Sequence, residues 1–512
     1  MKRFARLALG GLVAVSLGAF ALPATAGHPA ASHSNMDLLF NSPNATGATN
    51  SDLAFWGKYA YAGNYNGFRI FDISTTPPTL VTDFPCDGPQ GDLSVWDRDG
   101  NGKADILFMS VDSVMESSEC GAARQTPAAG PYDPDDWEGI RIFDVSTPAS
   151  PVELDPLYQD CGSHTHTLLP DPDDNRVVIY NSSYSLRSGP TCGPVEGPAA
   201  GRSPVHGVIQ VSEVSWSPLA PLAGVTATEI AEPPISYPGD PGNVFDPSHH
   251  SSVLVEPSFH ALRACHDIGV HLGVWLAGAA CAEQAQLWRI DPVTLLPDTA
   301  SPLWVFDNIE DTDGPGGGDT SADFWHSATF SWDGKTVNFS DESFGEGCPP
   351  VSENEDPAAS VHGPSDTGRT YFLDVSSGKL HSQFMIPRPD ASAGSYCSTH
   401  QGNTVAMPGR DLLVQAWYTG GVDIIDFTAK KNPQEVAYFD FTGDGTSGSD
   451  NWAHYWYEQS PVNNKPFTTY GTDGVHTPAS GRGFEQFLVT LNSGKRFGMD
   501  HLNPQTQEEV LP

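Results

Sequence analysis

Apolar and polar residues alternate along most of this chain, in runs that are short and recur. Residues 60–74 read AYAGNYNGFRIFDIS, and Pro77-Pro78-Thr79-Leu80-Val81 follow. Residues 138–146 read EGIRIFDVS, with Pro148 and Pro151-Val152-Glu153-Leu154 behind them. The phrase returns as AQLWRID at 285–291, GRTYFLDVS at 368–376 and TGGVDIID at 419–426, the last followed by Pro433-Gln434-Glu435-Val436-Ala437. Each copy is a Gly or polar turn, an apolar stretch ending in Asp, a Pro-rich turn and a second apolar stretch. Period-two alternation bounded by turn residues is the signature of a β-strand. Nothing comparable recurs at helical spacing.

Short strands repeating at intervals of about 40–50 residues point to an all-β chain folded as a single β-propeller. The count fits seven blades, with six or eight as alternatives. Long Gly-, Pro- and Asp-rich connections are expected at 120–137, 186–205, 232–248 and 346–367. A propeller is one domain despite its length, so residues 27–512 are expected to form one unit. The 51 Gly and 44 Pro agree with a chain of many turns. A hydrophobic content of 38% with 12 Trp is enough for a packed core, which excludes global disorder.

The first 26 residues stand apart. Lys2, Arg3 and Arg6 precede an apolar run from Leu7 to Leu22, and Ala24-Thr25-Ala26 fits the small-residue cleavage rule of a secretory signal. The run is short for a spanning helix of ~20 residues, so an exported protein without membrane insertion is expected. The eight Cys fall outside this segment, and an even count in an exported chain reads as disulfides. Sequence does not settle the connectivity; sequential pairing would give Cys86–Cys120, Cys161–Cys192, Cys265–Cys281 and Cys348–Cys397. No CxxC spacing supports a thiolate zinc site. With 25 Lys+Arg against 63 Asp+Glu, the net charge is −38. That disfavours nucleic acid and anionic membrane surfaces as partners. A small molecule, a protein or a glycan stays open as the partner, and a monomer is expected.

The histidines carry the chemical signal. His164-Thr165-His166, His266, His326 and His400 each open an apolar stretch that turns and runs back, and His454 sits in Trp452-Ala453-His454-Tyr455-Trp456. If each opens the innermost strand of a blade, all reach one mouth of one channel, because inner strands run the same way. His164 and His166 are alternatives, with His166 preferred as closer to the strand interior. Asp92, in Gly91-Asp92-Leu93, is the counterpart in another blade. Neutral imidazoles meeting a carboxylate suit a divalent transition metal such as Zn, Fe(II), Mn or Cu(II). If that metal does chemistry, Glu342 or Asp267 is the candidate acid or base, although Asp267 also fits an orienting role beside His266. Trp325, Trp417, Tyr418, Trp452 and Trp456 are candidates for an apolar wall. Separately, Asp97, Asp99, Asn101 and Asp105 place oxygen at positions 1, 3, 5 and 9 of a Gly-rich loop, a spacing suited to structural Ca²⁺.

The RIFDIS, RIFDVS and DIIDF phrases with downstream Pro resemble the LVIVD-repeat family of secreted bacterial β-propellers. CGSHTHTLLPD, CHDIGVHLG, FWHSATFSWDGKTVNFSDE and PGRDLLVQAWYTGGVDIIDF are similar to an actinobacterial branch of it. The resemblance implies a propeller and export, and assigns no catalytic residue. Two functions follow as expectations. One is a metalloprotein with redox or hydrolytic chemistry at the channel mouth. The other is a non-catalytic scaffold that binds a protein or glycan through its loops.

Overall fold

The recurring phrase is the third strand of a four-stranded antiparallel meander. In the computed structural model, Asn50–Trp56 turns into Tyr59–Asn64, which pairs with Gly67–Asp72 and then Thr79–Pro85. The structure describes residues 32–511 except 126–132, 184–206, 218–221, 239–264, 282–283, 307–321, 323, 343–367, 389–396, 442–450, 464, 475–481 and 492–493. The proposed signal segment and most of the expected long connections therefore lie outside the described residues.

The Asp that ends the phrase has a local reason. Asp72 Oδ1 accepts the Ser74 N–H at 3.0 Å, Asp144 Oδ1 accepts the Ser146 N–H at 2.9 Å, and Asp426 Oδ1 accepts the Thr428 N–H at 3.0 Å. Each carboxylate closes a turn two residues on, stopping one strand and starting the reversal to the next.

The same meander repeats along the chain. Gln90–Trp96, Ile106–Met115 and Trp137–Asp144 form the second sheet, with Val152–Glu153 and Leu157–Tyr158 sharing its outer place. Thr165–Asp171, Arg176–Ser182, Gln210–Ser215 and Thr226–Ala231 form the next. Asp267–His271, Leu276–Cys281, Gln284–Arg289 and Trp304–Phe306 follow, then Trp325–Phe330, Thr336–Asp341, Thr370–Asp374 and Leu380–Phe384. A nine-stranded sheet holds Gln401–Thr404 through Gln434–Asp440 on one side and Asn451–Trp456, Phe467–Asp473 and Gly483–Val489 on the other. Its halves join where Gln401 and Gly402 run parallel to Ala453 and His454. Met36–Ser42 pairs with Gly483–Val489, so the chain's start completes the sheet formed by its end.

The first strand of each meander packs on the first strand of the next, and Asn451–Trp456 returns to Asn50–Trp56. The first strands thus encircle a central channel. This is an all-β, β-propeller arrangement; the helical elements among the described residues are the 3₁₀ turns Pro172–Asp174 and Leu222–Gly224. The hydrophobic core lies between neighbouring sheets. One cluster takes Ile70, Val95, Phe108, Ile142 and Ile179 from three successive sheets.

Two of the expected disulfides are present, Cys86–Cys120 and Cys265–Cys281. The other two involve Cys192 and Cys348, which lie outside the described residues. After Gly483–Val489 the chain crosses the channel at the end where the inner strands finish. His501–Leu502 pairs with Phe55 and Trp56, and Thr506–Gln507 runs parallel to Val270 and His271. Among the described residues no helix is long and apolar enough to cross a membrane.

Candidate metal centre at the channel mouth

At the opposite end, where the inner strands begin, four histidines stand side by side. His266 and His400 immediately precede their strands, His164 precedes Thr165–Asp171, and His326 is second in Trp325–Phe330. Ring centroids are 4.5 Å apart for His164 and His266, 4.0 Å for His266 and His326, and 4.1 Å for His326 and His400. Trp452 continues the row at 4.5 Å from His400, and Tyr65 lies 6.1 Å beyond it. Tyr65 donates to Gln90 Oε1 at 3.0 Å, and Gln90 Nε2 is 3.2 Å from His164 Nε2. The circle of side chains therefore closes around the mouth.

His326 is aimed by a β-bulge. Pairing steps from Trp325–Asp341 to Ser327–Ser340, so His326 has no partner across the ladder. A bulge of this kind bends the strand locally and re-aims one side chain.

Three of the rings have their protonation pattern set by neighbours. His164 Nδ1 lies 2.8 Å from Asp112 Oδ2, His266 Nδ1 lies 3.1 Å from the His326 carbonyl, and His400 Nδ1 lies 2.6 Å from the Trp452 carbonyl. Each acceptor takes a proton from Nδ1–H, which makes Nε2 the lone-pair nitrogen, as in histidines that bind metals. Burial pushes His266 and His326 well below the ordinary imidazole value, helped by the surrounding imidazoles, and pushes His400 down to about 3. The rings of His266, His326 and His400 are neutral donors.

His326 is 0% exposed, and among the described residues neither of its ring nitrogens has a hydrogen-bond partner. Its Nε2 lies 3.6 Å from Glu342 Oε2. One donor atom each from His266, His326 and Glu342 lies within 4.8 Å of the others. Ligands ~2.1 Å from one metal stand roughly 3–4 Å from each other, so a closing of about 1 Å would complete such a set. Glu342 follows the strand Thr336–Asp341, which returns to the mouth beside His326, and its Oε1 accepts the Tyr418 hydroxyl at 2.6 Å.

The structure separates the other expected residues from this group. His166, preferred over His164 from its place in the strand, is buried between sheets. Its Nε2 is 2.7 Å from Ser94 Oγ, and its Nδ1 is 2.8 Å from Ser110 Oγ and 3.2 Å from Asp92 Oδ2. It is His164, before the regular strand, that reaches the mouth. His454 lies two residues deeper than the mouth position of its strand, which Trp452 holds. Its Nε2 meets Thr469 Oγ1 at 2.7 Å and its ring packs on Phe487.

Asp267 turns down the channel, where Oδ2 accepts Gln401 Nε2 at 2.7 Å. It does not orient His266, whose Nδ1 faces a carbonyl instead, and burial raises its carboxyl to about 7. Of the five aromatic wall candidates, Tyr418 and Trp452 flank His400. Trp325, Trp417 and Trp456 are fully buried; the Trp417 indole donates to Asp423 and Trp456 to Glu458.

In the Asp97–Asp105 loop, Asp97 Oδ1 and Oδ2 accept the N–H groups of Asn101 and Gly102, and Asp99 Oδ1 also accepts Asn101. Asn101 Oδ1 accepts Lys103 N–H, and Asp105 binds Arg98 through backbone and guanidinium. The four residues expected to hold calcium thus close the turn through the chain's own N–H groups.

Beneath the histidines lies a layer of carboxylates that holds Asp92 and Asp267 and also Asp52, which the sequence reading did not single out. Asp52 is fully buried, accepts Tyr455 at 2.6 Å and Gln505 at 3.2 Å, and has its carboxyl raised well above the usual range by burial and by Asp92. The signal was present: Asp52-Leu53-Ala54-Phe55-Trp56 and Asp92-Leu93-Ser94-Val95-Trp96 are the same phrase in two inner strands.

Fold and site together describe a β-propeller whose channel mouth is lined by histidines. Residues 47–84, which span the first meander, match the family model of the LVIVD repeat. No curated protein matches the chain. Solved structures are similar at low identity, among them the following three. The β-propeller domain of Cps50 (Swd1) from Myceliophteria thermophila is 9% identical over 89% of this chain and 100% of that one, with a TM-score of 0.42. A putative 6-phosphogluconolactonase from Bacteroides uniformis is 11% identical over 84% and 95%, at 0.41. The Dos1 propeller is 12% identical over 90% and 84%, also at 0.41.

Proposed function

We propose that the chain is a secreted, seven-bladed β-propeller of the LVIVD-repeat type that binds one divalent transition metal at a mouth of its channel. His266, His326 and Glu342 are the ligands, and His164 and His400 flank them. The count of seven takes the nine-stranded sheet as two blades, the second completed by Met36–Ser42. Export is read from residues 1–26 together with the disulfides.

The observation that carries the metal is His326. Among the described residues neither of its nitrogens has a partner; a buried imidazole left so costs about 1–3 kcal/mol, and here it lies beside a carboxylate and a second imidazole. A bond from metal to Nε2 removes the part of that cost that falls on Nε2. Two neutral imidazoles and one carboxylate suit Zn, Fe(II), Mn or Cu(II). Three protein donors leave coordination positions for water or substrate, which hydrolytic or redox chemistry requires.

The test is the metal content of untagged protein purified without chelator. About one transition-metal ion per chain in the wild type, lost in His326→Ala with its fold intact, is expected. Wild-type protein that neither carries nor takes up Zn, Fe(II), Mn or Cu(II) would overturn the reading.

A further inference from the structure

Tyr418 stands between two of the residues at the mouth. Its hydroxyl donates to Glu342 Oε1 at 2.6 Å, and its ring lies 4.9 Å from that of His400. Glu342 belongs to one meander and His400 to the next, so Tyr418 ties the carboxylate to the row of imidazoles across a sheet boundary.

The backbone at Tyr418 is strained, with φ at +27°. A non-glycine residue in this region is unfavourable and persists only where its surroundings hold it. Here Asn451 does the holding. Its N–H and its Nδ2 both donate to the Tyr418 carbonyl, each at 3.0 Å. Asn451 is itself fully buried, and its Oδ1 accepts Arg482 at 3.2 Å. Strain fixed this firmly is expected where the direction of one side chain matters. The bond to Oε1 settles which carboxylate oxygen is turned toward His326: it is Oε2, at 3.6 Å.

We infer that Tyr418 is the positioning residue of the metal centre, holding Glu342 so that Oε2 joins His266 and His326 around the ion. This role rests on the metal-binding reading above. Outer hydrogen bonds to ligands are typically worth roughly 10–100-fold in metal affinity.

The experiment titrates Co(II), followed by calorimetry and by its visible spectrum, into the full chain as wild type, Tyr418→Phe and Glu342→Gln. Phe keeps the ring against His400 and removes only the hydroxyl. Tyr418→Phe should bind Co(II) roughly 10–100-fold more weakly, with altered visible bands and an unchanged melting temperature without metal. Glu342→Gln should lose more, because the ligand's charge is gone. Affinity and spectrum equal to wild type in Tyr418→Phe would overturn the role. So would a lower metal-free melting temperature with an unchanged spectrum, which would make the hydroxyl a structural contact. Failure of the wild type to bind Co(II) would instead remove the metal centre, and this role with it.

Discussion

Asn503 and Val95 are joined twice. The Asn503 side-chain nitrogen donates to the Val95 carbonyl at 2.9 Å, and its side-chain oxygen accepts the Val95 N–H at 2.8 Å. Gln507 does the same to Phe330, at 3.0 Å in each direction. Between them Gln505 reaches up to Asp52, and Thr506 Oγ1 donates to the Leu168 carbonyl at 2.6 Å. One short segment near the C-terminus thus supplies the hydrogen bonds that inner strands lack at the channel's far end.

Loss of that pairing should be costly. In Asn503→Ala, two buried backbone groups of Val95 lose their partner, at about 1–3 kcal/mol each. Thermal unfolding should move down by several degrees, and Gln507→Ala should have a smaller effect, because Thr404 Oγ1 still donates to the Phe330 carbonyl at 2.7 Å. A midpoint unchanged in both variants would show that the segment is only laid over the channel.

The histidines should divide into two classes. His326→Ala and His266→Ala should abolish metal uptake while leaving the fold. His166→Ala and His454→Ala should retain the metal and lose about 1–3 kcal/mol of stability, because Ser94, Ser110 and Thr469 lose buried partners. Metal analysis and denaturant unfolding of the four variants separate the classes. Metal loss in His454→Ala without unfolding would contradict the assignment.

Asp52 predicts a pH dependence of defined sign. Burial, then the charge of Asp92, raises its carboxyl well above the ordinary value. The folded chain therefore keeps this proton to higher pH than the unfolded chain. Its contribution to stability is complete below the ordinary carboxyl value of about 4 and is lost as pH rises through the raised value. Asp267, raised to about 7, acts in the same direction. Asp52→Asn cannot ionise, so the metal-free variant should lose less melting temperature than wild type between about pH 4 and 8. Parallel curves for the two proteins would refute this.

The Asp97 loop should respond to mutation irrespective of calcium. Asp97→Ala frees the N–H of Gly102 and leaves that of Asn101 to Asp99 alone, and should cost about 1–2 kcal/mol, equally in calcium and in chelator. A calcium-dependent rise in melting temperature that this variant abolishes would show that the loop binds calcium.

The sequence by itself determined the strands and their order. Alternation marks each strand, and the recurring Asp with Ser or Thr two residues on fixes where the third strand stops, because that turn is local. It also placed histidines at the starts of inner strands, since a hairpin sends both its ends to one side. It did not decide which histidines meet. Alternation assumes an unbroken register, and the bulge at His326 and the deeper place of His454 both break it; a slip of one residue reverses the face of a side chain. Nor could it pair Glu342 with Tyr418, Asp52 with Asp92, or Asn503 with Val95. These contacts exist only once the ring closes, and closure joins residues far apart in the chain, through packing between sheets that no local pattern records.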